Sequence, residues 1–185
     1  MKKFGMVFVV SVGVVTLMTA MTVASGVRTA ALEDKCDPAT FNAAIGPGTC
    51  VGDGDVTFAE FLDKLNPQDF GHDAWRFHFG RGHIDRGETL KAMNDGGEFH
   101  TFTEVKEFGG GCIDDLNDPL NLTPVAECDP LTQVAPGVFV PTAFLTTGLD
   151  PGGSANVPGL TKAGTHHLFQ CLIHPWMRLE VEVRR

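Results

Sequence analysis

Near its C-terminus the chain reads Cys171-Leu172-Ile173-His174-Pro175-Trp176-Met177. This short segment offers three kinds of metal donor: the thiolate of Cys171, the imidazole of His174 and the thioether of Met177. A mononuclear blue-copper centre uses one sulfur and two nitrogens in a plane, with a weakly bound methionine on the axis. The segment therefore predicts a copper site that lacks one histidine, and His100 is the best candidate for the missing nitrogen.

The residues on both sides of the segment have the pattern of β-strands. The run at 178–183 alternates charged and apolar residues, which is the period of a half-buried strand, and the run at 165–170 is strand-like but less regular. Side chains alternate in a strand, so His167, Phe169 and Cys171 are expected on one face. An inward Phe169 predicts an inward Cys171, and a buried thiolate is costly unless a metal neutralises it.

These features resemble the cupredoxins, the small blue copper proteins. The Cys-x-x-His-Pro-x-Met spacing is most similar to the ligand loop of amicyanin, whereas plastocyanins have a longer gap before the methionine. A second part of the resemblance lies at 85–94 and 99–101, which are similar to the family's glycine turn, inner strand, Asn-containing loop and first His ligand. Together the two parts span residues 75–105 and 164–183, in the family's order.

The resemblance implies an all-β fold, a Greek-key β-sandwich, to which we add one short helix and a long loop insertion. It also implies that Pro175 and Trp176 form an apolar patch where a partner docks, although a core position for Trp176 fits the sequence equally well. His174, in the loop, is expected to be the ligand nearest solvent. The implied cofactor is one type 1 copper ion, held by His100, Cys171, His174 and Met177.

Two departures from the family pattern concern the surroundings of the metal. Amicyanin-like proteins have aromatic residues before the cysteine, where this chain has His167 and Phe169, and several members have an Asn after the first histidine, where this chain has Thr101. We expect these three side chains to lie around the ligands and to tune the reduction potential. The Thr101 hydroxyl can supply part of the hydrogen bonding between the ligand loops. His167 is also an alternative ligand.

Other metal chemistries fit the sequence less well. Methionine is a poor zinc ligand, a dinuclear copper site needs a second cysteine near Cys171, and a multicopper oxidase needs a histidine where this chain has Gln170. A calcium loop ending at Glu60 would need acidic donors at Thr49 and Val51. We therefore predict no catalytic residues. An enzyme of the nitrite-reductase type remains only if a partner subunit supplies a second copper site.

Composition and the N-terminus indicate the compartment. The chain has 185 residues and a formal net charge of -9, which argues against nucleic-acid binding and permits steering toward a basic partner. Lys2 and Lys3 precede an apolar stretch and small residues at 24–26. This pattern predicts a signal peptide at 1–26, with an uncleaved membrane anchor as the alternative. We expect a periplasmic or secreted protein.

Five cysteines agree with export. With Cys171 assigned to copper, four remain, and an even remainder in an exported protein predicts two disulfides. Pairing of neighbours in the sequence, Cys36 with Cys50 and Cys112 with Cys128, is the simplest of the three connectivities.

Residues 27–72 are predicted to be an N-terminal extension, irregular over 28–48. Apolar residues at helical spacing predict a short helix at 57–65. Thr57 can cap this helix, and Glu60 three residues later completes a capping-box pattern.

Residues 73–185 are predicted to form the cupredoxin-like domain. Alternating aromatic residues make 73–79 a strand. The segment 109–163 is expected to be a long loop, with short strand candidates at 137–140 and 143–146.

The complete ligand set favours an exported one-electron carrier, not an enzyme, that exchanges electrons with a redox protein such as a cytochrome or a copper or quinone enzyme. No small-molecule substrate is expected. The alternative is a copper storage or delivery protein without redox traffic, because a carrier needs neither the extension nor the long loop.

Overall fold

The computed structural model of the protein describes residues 26–185. The predicted signal peptide or anchor therefore lies outside the described residues, except for Gly26 at its end. Within the described part, no helix is both long enough and apolar enough to cross a membrane.

The described chain consists mainly of short strands. In order, the elements are β1 (Val27–Glu33), α1 (Pro38–Ala44), α2 (Phe58–Asp63), β2 (Arg76–His78), β3 (His83–Asp85), β4 (Thr89–Asn94), β5 (His100–Thr101), β6 (Thr103–Val105), α3 (Asp114–Asn117), two 3-10 turns (Asp118–Leu120 and Ala126–Cys128), β7 (Leu131–Ala135), β8 (Val138–Pro141), α4 (Thr142–Thr147), β9 (Gly148–Leu149), β10 (Ser154–Val157), β11 (His166–Gln170) and β12 (Arg178–Arg184).

Two four-stranded sheets form the body of the fold. The first has the order β10-β4-β1-β2 and the second the order β3-β12-β11-β6. Most neighbouring strands are antiparallel, but β1 runs parallel to β4 and β12 runs parallel to β3. Two short antiparallel pairs, β5 with β9 and β7 with β8, complete the structure. The predicted all-β sandwich is confirmed.

The core lies between the two sheets, where alternate side chains of each strand point inward. From the first sheet, β1 contributes Ala30 and Leu32, and from the second, β12 contributes Val181 and Val183, all fully buried. Phe169 of β11 is also buried and stacks on Phe102, with ring centroids 4.5 Å apart. Removal of this apolar surface from water is what holds the sheets together.

The expectation that residues 28–48 are irregular is wrong. Strand β1 pairs with both β2 and β4, so it is an interior strand of the first sheet. Helix α1 follows, and the side chain of Asp37 caps it by accepting a hydrogen bond from the Thr40 amide. The run at 27–33 has few β-branched or aromatic residues, so pairing with two neighbours, and not intrinsic propensity, makes it a strand.

The helix predicted at 57–65 is present as α2. Thr57 accepts a hydrogen bond from the Glu60 amide, and the Glu60 carboxylate accepts one from the Thr57 amide, which is the predicted capping box. The helix ends at Asp63, before Pro67. The strand predicted at 73–79 is present as the shorter β2.

Both predicted disulfides are present, Cys36–Cys50 and Cys112–Cys128, with Cα–Cα distances of 6.2 Å and 5.3 Å. The first joins the segment after β1 to the segment after α1, and both its cysteines are buried. Among the residues from 26 onward, Cys171 is the free cysteine.

The segment 109–163 is not the long loop that the sequence predicted. It contains α3, the β7–β8 hairpin, α4 and β10, which joins the first sheet. The strand candidate at 137–140 is present as β8, but 142–147 is helical where a strand was expected at 143–146. Ala143 and Phe144 of this helix pack against a buried apolar cluster, and Thr147 donates a hydrogen bond to the Ala143 carbonyl. Tertiary packing overrides the strand propensity here.

The glycines at 109–111 lie against the ligand segment. The Gly109 amide donates to the Gln170 side chain at 3.1 Å, and the Cys112 amide donates to the Leu172 carbonyl at 2.6 Å. A Cβ atom at Gly111 would collide with the Leu172 carbonyl oxygen. The glycine run therefore lets the backbone approach the segment that carries Cys171.

We predict that Gly111→Ala destabilises the protein by about 1–3 kcal/mol, because the added methyl group must displace backbone. Gly80→Ala is the matched control, since a Cβ atom there meets no atom within 4 Å. Denaturant unfolding of the metal-free protein measures both. Equal midpoints for the two variants would contradict this interpretation.

Candidate metal centre

Three side chains meet in a buried cluster at one end of the sandwich. The donor atoms of His100, Cys171 and His174 all lie within 4.8 Å of one another. The Cys171 Sγ is 3.9 Å from the Nδ1 atom of each histidine. Bonds of about 2.3 Å to sulfur and about 2.0 Å to nitrogen would put two donors of one trigonal ion about 3.7 Å apart. The cluster therefore has the size that a single ion requires.

The segment from Cys171 to Met177 is closed by its own backbone. The Cys171 amide donates to the Met177 carbonyl at 3.1 Å, and the Met177 amide donates to the His174 carbonyl at 3.0 Å. Met177 is fully buried, as is Cys171. Strands β11 and β12 pair on either side of the segment, so its two ends lie together at the end of a hairpin.

Thr101 connects the two parts of the site. Its hydroxyl accepts a hydrogen bond from the Leu172 amide at 2.8 Å, and its own amide points at the Cys171 Sγ from 3.5 Å. The hydroxyl of Thr103 donates to the Thr101 hydroxyl at 3.1 Å. Thr101 thus joins β5 to the ligand segment and places a backbone dipole on the sulfur.

A buried carboxylate fixes the orientation of His100. The Nε2 atom of His100 lies 2.8 Å from the Oδ2 atom of Asp34, and both side chains are almost completely buried. Asp34 also accepts hydrogen bonds from the amides of Cys36 and Glu98. Donation from Nε2–H to Asp34 leaves Nδ1 facing Cys171, which is the tautomer that a metal on Nδ1 needs.

The glycine at 96 makes room for this carboxylate. A Cβ atom at Gly96 would collide with the Oδ2 atom of Asp34. The absence of a side chain at Gly96 therefore lets the carboxylate of Asp34 lie beside His100.

The pKa values of the pair follow from this contact. Burial raises the pKa of Asp34, but the hydrogen bond and charge of His100 outweigh burial and lower that pKa to about 2. Burial lowers the pKa of His100, but Asp34 and Cys171 raise it to about 9. In the metal-free protein, His100 is thus protonated on both nitrogens at neutral pH. A metal ion bound at Nδ1 would have to displace the proton there.

The thiol of Cys171 is prepared for metal binding by its neighbours. Burial raises its pKa, but hydrogen bonds and charge from His100 and His174 lower that pKa well below the ordinary value. The lowered pKa favours the thiolate, the form that binds metals.

A second buried carboxylate lies beside His174. The Oε2 atom of Glu98 accepts a hydrogen bond from the Trp75 indole at 2.6 Å and lies 3.6 Å from the Nε2 atom of His174. Burial raises the pKa of Glu98, although the charge of His174 and the Trp75 hydrogen bond oppose the effect. Each histidine thus has a carboxylate on the side away from the sulfur.

Sequence reasoning missed both carboxylates. Glu98 is only two residues before His100, but it lies in a bend ahead of β5, where the alternation of strand side chains gives no signal. Asp34 is 66 residues before His100, and no local pattern connects the two.

The apolar patch predicted at Pro175 and Trp176 is covered. His174 is 3% exposed, the largest value among the four predicted ligands, but Pro175 is buried and Trp176 partly buried. The ring centroids of Phe61 and Trp176 lie 6.0 Å and 5.5 Å from that of His174. Helix α2 therefore packs over the loop that the resemblance would leave open to partners.

His167 does not reach the cluster, contrary to the prediction. Its Nδ1 atom lies 2.7 Å from the Glu104 carboxylate and its Nε2 atom 2.9 Å from the Thr165 hydroxyl. It shares a strand face with Cys171, but four residues of strand separate the two by roughly 13 Å. Phe169, two residues before Cys171, is buried in the core.

No protein-family model and no curated protein matches this chain. Among solved structures, a purple cupredoxin from Nitrosopumilus maritimus is similar, with 17% sequence identity, coverage of 84% of this chain and 98% of that chain, and a TM-score of 0.35.

The fold is a β-sandwich of two four-stranded sheets, the architecture that the sequence resemblance implies, and the candidate metal site has the histidine–cysteine–histidine donors of a type 1 copper centre. The assignment rests on the two packed sheets and on the buried cluster at their end.

We predict that Asp34→Asn lowers the affinity for Cu(II) about 10- to 100-fold, as is usual when the hydrogen-bond partner of a metal-bound histidine is changed. It should also raise the reduction potential, because a negative charge that favours Cu(II) is lost. Competition titration and voltammetry measure these effects. Asp53→Asn, an exposed change in the same region, is the control and should alter neither. An unchanged affinity in Asp34→Asn would exclude the role given to Asp34.

Proposed function

We propose that this protein is an exported type 1 copper protein that carries single electrons between redox partners. The observation that carries the proposal is the buried cluster of His100, Cys171 and His174, with Met177 closing the same segment. The proposed ligands are these three side chains and, on the axis, Met177. Copper supplies the one-electron redox chemistry when it is bound.

The protein fixes the donor atoms in place and excludes water from them. The site lies at the end of two packed sheets, and hydrogen bonds fix the backbone of the ligand segment from both sides, through Thr101 and through Cys112. Asp34 holds the His100 ring. Donors that are fixed before the metal binds need little rearrangement when the metal changes its charge, which favours fast electron exchange.

Two features adjust the reduction potential: the hydrogen bond to the Cys171 sulfur, and the axial donor. The Thr101 amide directed at the Cys171 sulfur withdraws electron density from the thiolate. Met177 is the proposed weak axial donor. Both change the relative stability of Cu(I) and Cu(II). Neither determines which metal the site selects.

Copper delivery is the alternative. A delivery site must pass its metal to an acceptor ligand, which requires that the acceptor can reach the donors. His100, Cys171 and Met177 have no exposed surface, so their burial supports electron transfer over hand-over of the metal.

Two disulfides support a location outside the cytoplasm, in the periplasm or secreted, because disulfides persist in oxidising compartments. The partners on this proposal are redox proteins, such as a cytochrome or a copper or quinone enzyme, and no small-molecule substrate is involved.

The decisive experiment is a visible spectrum of the purified protein after addition of Cu(II). We expect an intense thiolate-to-copper band that is absent in Cys171→Ser, and we expect ferricyanide to oxidise the Cu(I) form reversibly. Copper bound without such a band would favour storage or delivery through other ligands. A protein that binds no copper would contradict the proposal altogether.

Met177→Leu tests the axial donor. The band should remain, because the thiolate is unchanged, and the reduction potential should rise, because a donor that favours Cu(II) is removed. Voltammetry of both forms measures the shift. An unchanged potential would remove Met177 from the ligand set and leave the other three in place.

A further inference from the structure

An apolar groove of about 680 Å³ opens beside the metal centre. Its walls come from helices α1 and α2 and from the segment around α3. Glu98 and His174 lie at its floor. Of the four proposed copper ligands, His174 is the one that lines it. The groove is therefore the place where the covered metal centre comes closest to a partner.

The rim of the groove carries large apolar side chains that are well exposed. Their exposed fractions run from 36% to 61%. An exposed apolar patch of this kind usually marks a site of interaction. The rim residues are Ile45, Val51, Leu62 and Ile113.

Charge around the groove has one sign. Asp115 and Asp150 are among the residues that line it, and within the described chain its lining contains no lysine or arginine. The chain as a whole has a formal net charge of -9. A second copy of the same acidic surface would be repelled, whereas a basic protein surface would be attracted.

We infer that this groove is the docking site for the redox partner, and that the partner is a protein with an apolar tip flanked by lysine or arginine side chains. Such a tip fills the groove above His174, and its basic flanks meet Asp115 and Asp150. The inference rests on the proposed electron-carrier function. The docking face then lies not at the covered Pro175 and Trp176 but at a surface to which residues 41–62 contribute about half of the lining.

The test uses ferricytochrome c, a basic haem protein, as the probe. Stopped-flow mixing with the Cu(I) form of the full chain gives a second-order rate constant for electron transfer. The double variant Val51→Gln, Leu62→Gln replaces two exposed rim residues by polar ones of similar size. We expect its rate constant to fall about tenfold, the usual effect of losing an important interface contact.

Two further variants test separately whether the effect is specific to the groove and whether charge contributes to the rate constant. Leu145→Gln changes an equally exposed apolar residue of α4, which does not line the groove, and should leave the rate constant unchanged. Asp115→Asn should slow the reaction at low salt and have no effect at high salt, because added salt screens its charge.

Ferricyanide distinguishes failure of this inference from failure of the proposed function. A small oxidant does not need the groove, so the rim variants should keep the thiolate-to-copper band and their rate with ferricyanide. If the unchanged protein has no thiolate-to-copper band, or if ferricyanide does not oxidise its Cu(I) form, the electron-carrier function is refuted. The docking inference is then refuted with it.

Three outcomes would overturn the docking inference alone. The first is an unchanged rate with cytochrome c in the rim double variant. The second is a rate for the unchanged protein that is no higher with basic cytochrome c than with an acidic cytochrome. The third is a dimer of the unchanged protein in sedimentation velocity that the rim variant dissociates, which would make the groove an interface between two copies.

Discussion

A thiolate without solvent needs positive charge or hydrogen-bond donors beside it, and the arrangement around Cys171 follows from this constraint. The two histidine rings supply one side and the Thr101 amide another. Once the rings are positively polarised, they in turn favour carboxylates behind them, and Asp34 and Glu98 occupy those places. From the sulfur outward, the site therefore consists of groups of alternating charge: the thiolate, then the histidine rings, then the carboxylates. Each layer makes burial of the next one less costly.

The N-terminal region belongs to this arrangement as much as the ligand segment does. Strand β1 is an interior strand of the first sheet, and Asp34 comes directly after it. The disulfide of Cys36, two residues later, ties this point to the segment after α1. Helix α2 then places Phe61 against His174. A region that the sequence suggests is an added extension thus supplies both the inner support and the outer cover of the metal centre.

The sequence was sufficient where a feature depends on residues close together. The ligand segment, the capping box at Thr57 and both disulfides were predicted because spacing, propensity and cysteine parity carry the information locally. Prediction from the sequence failed where contacts between distant residues determine the local structure. The strand at 27–33 is weak by propensity and forms by pairing, the helix at 142–147 forms by packing, and Asp34 meets His100 across 66 residues. His167 illustrates the same point. The sequence predicts that His167 and Cys171 share a face of the strand, but four residues of strand separate them, so His167 does not reach the candidate metal site.

The parallel pairing of β1 with β4 is one of several contacts between distant parts of the chain on which the candidate metal site depends. Groups from residue 34, residue 100 and residues 171–177 must meet before the centre exists, so nearly the whole chain has to be threaded into register first. Contacts so distant in sequence form late and slowly in folding. A metal that is bound tightly only by the finished arrangement would then draw the folding equilibrium forward by mass action. On the proposed function, a bound metal would consequently report that the chain has folded correctly over the whole span from residue 34 to residue 177.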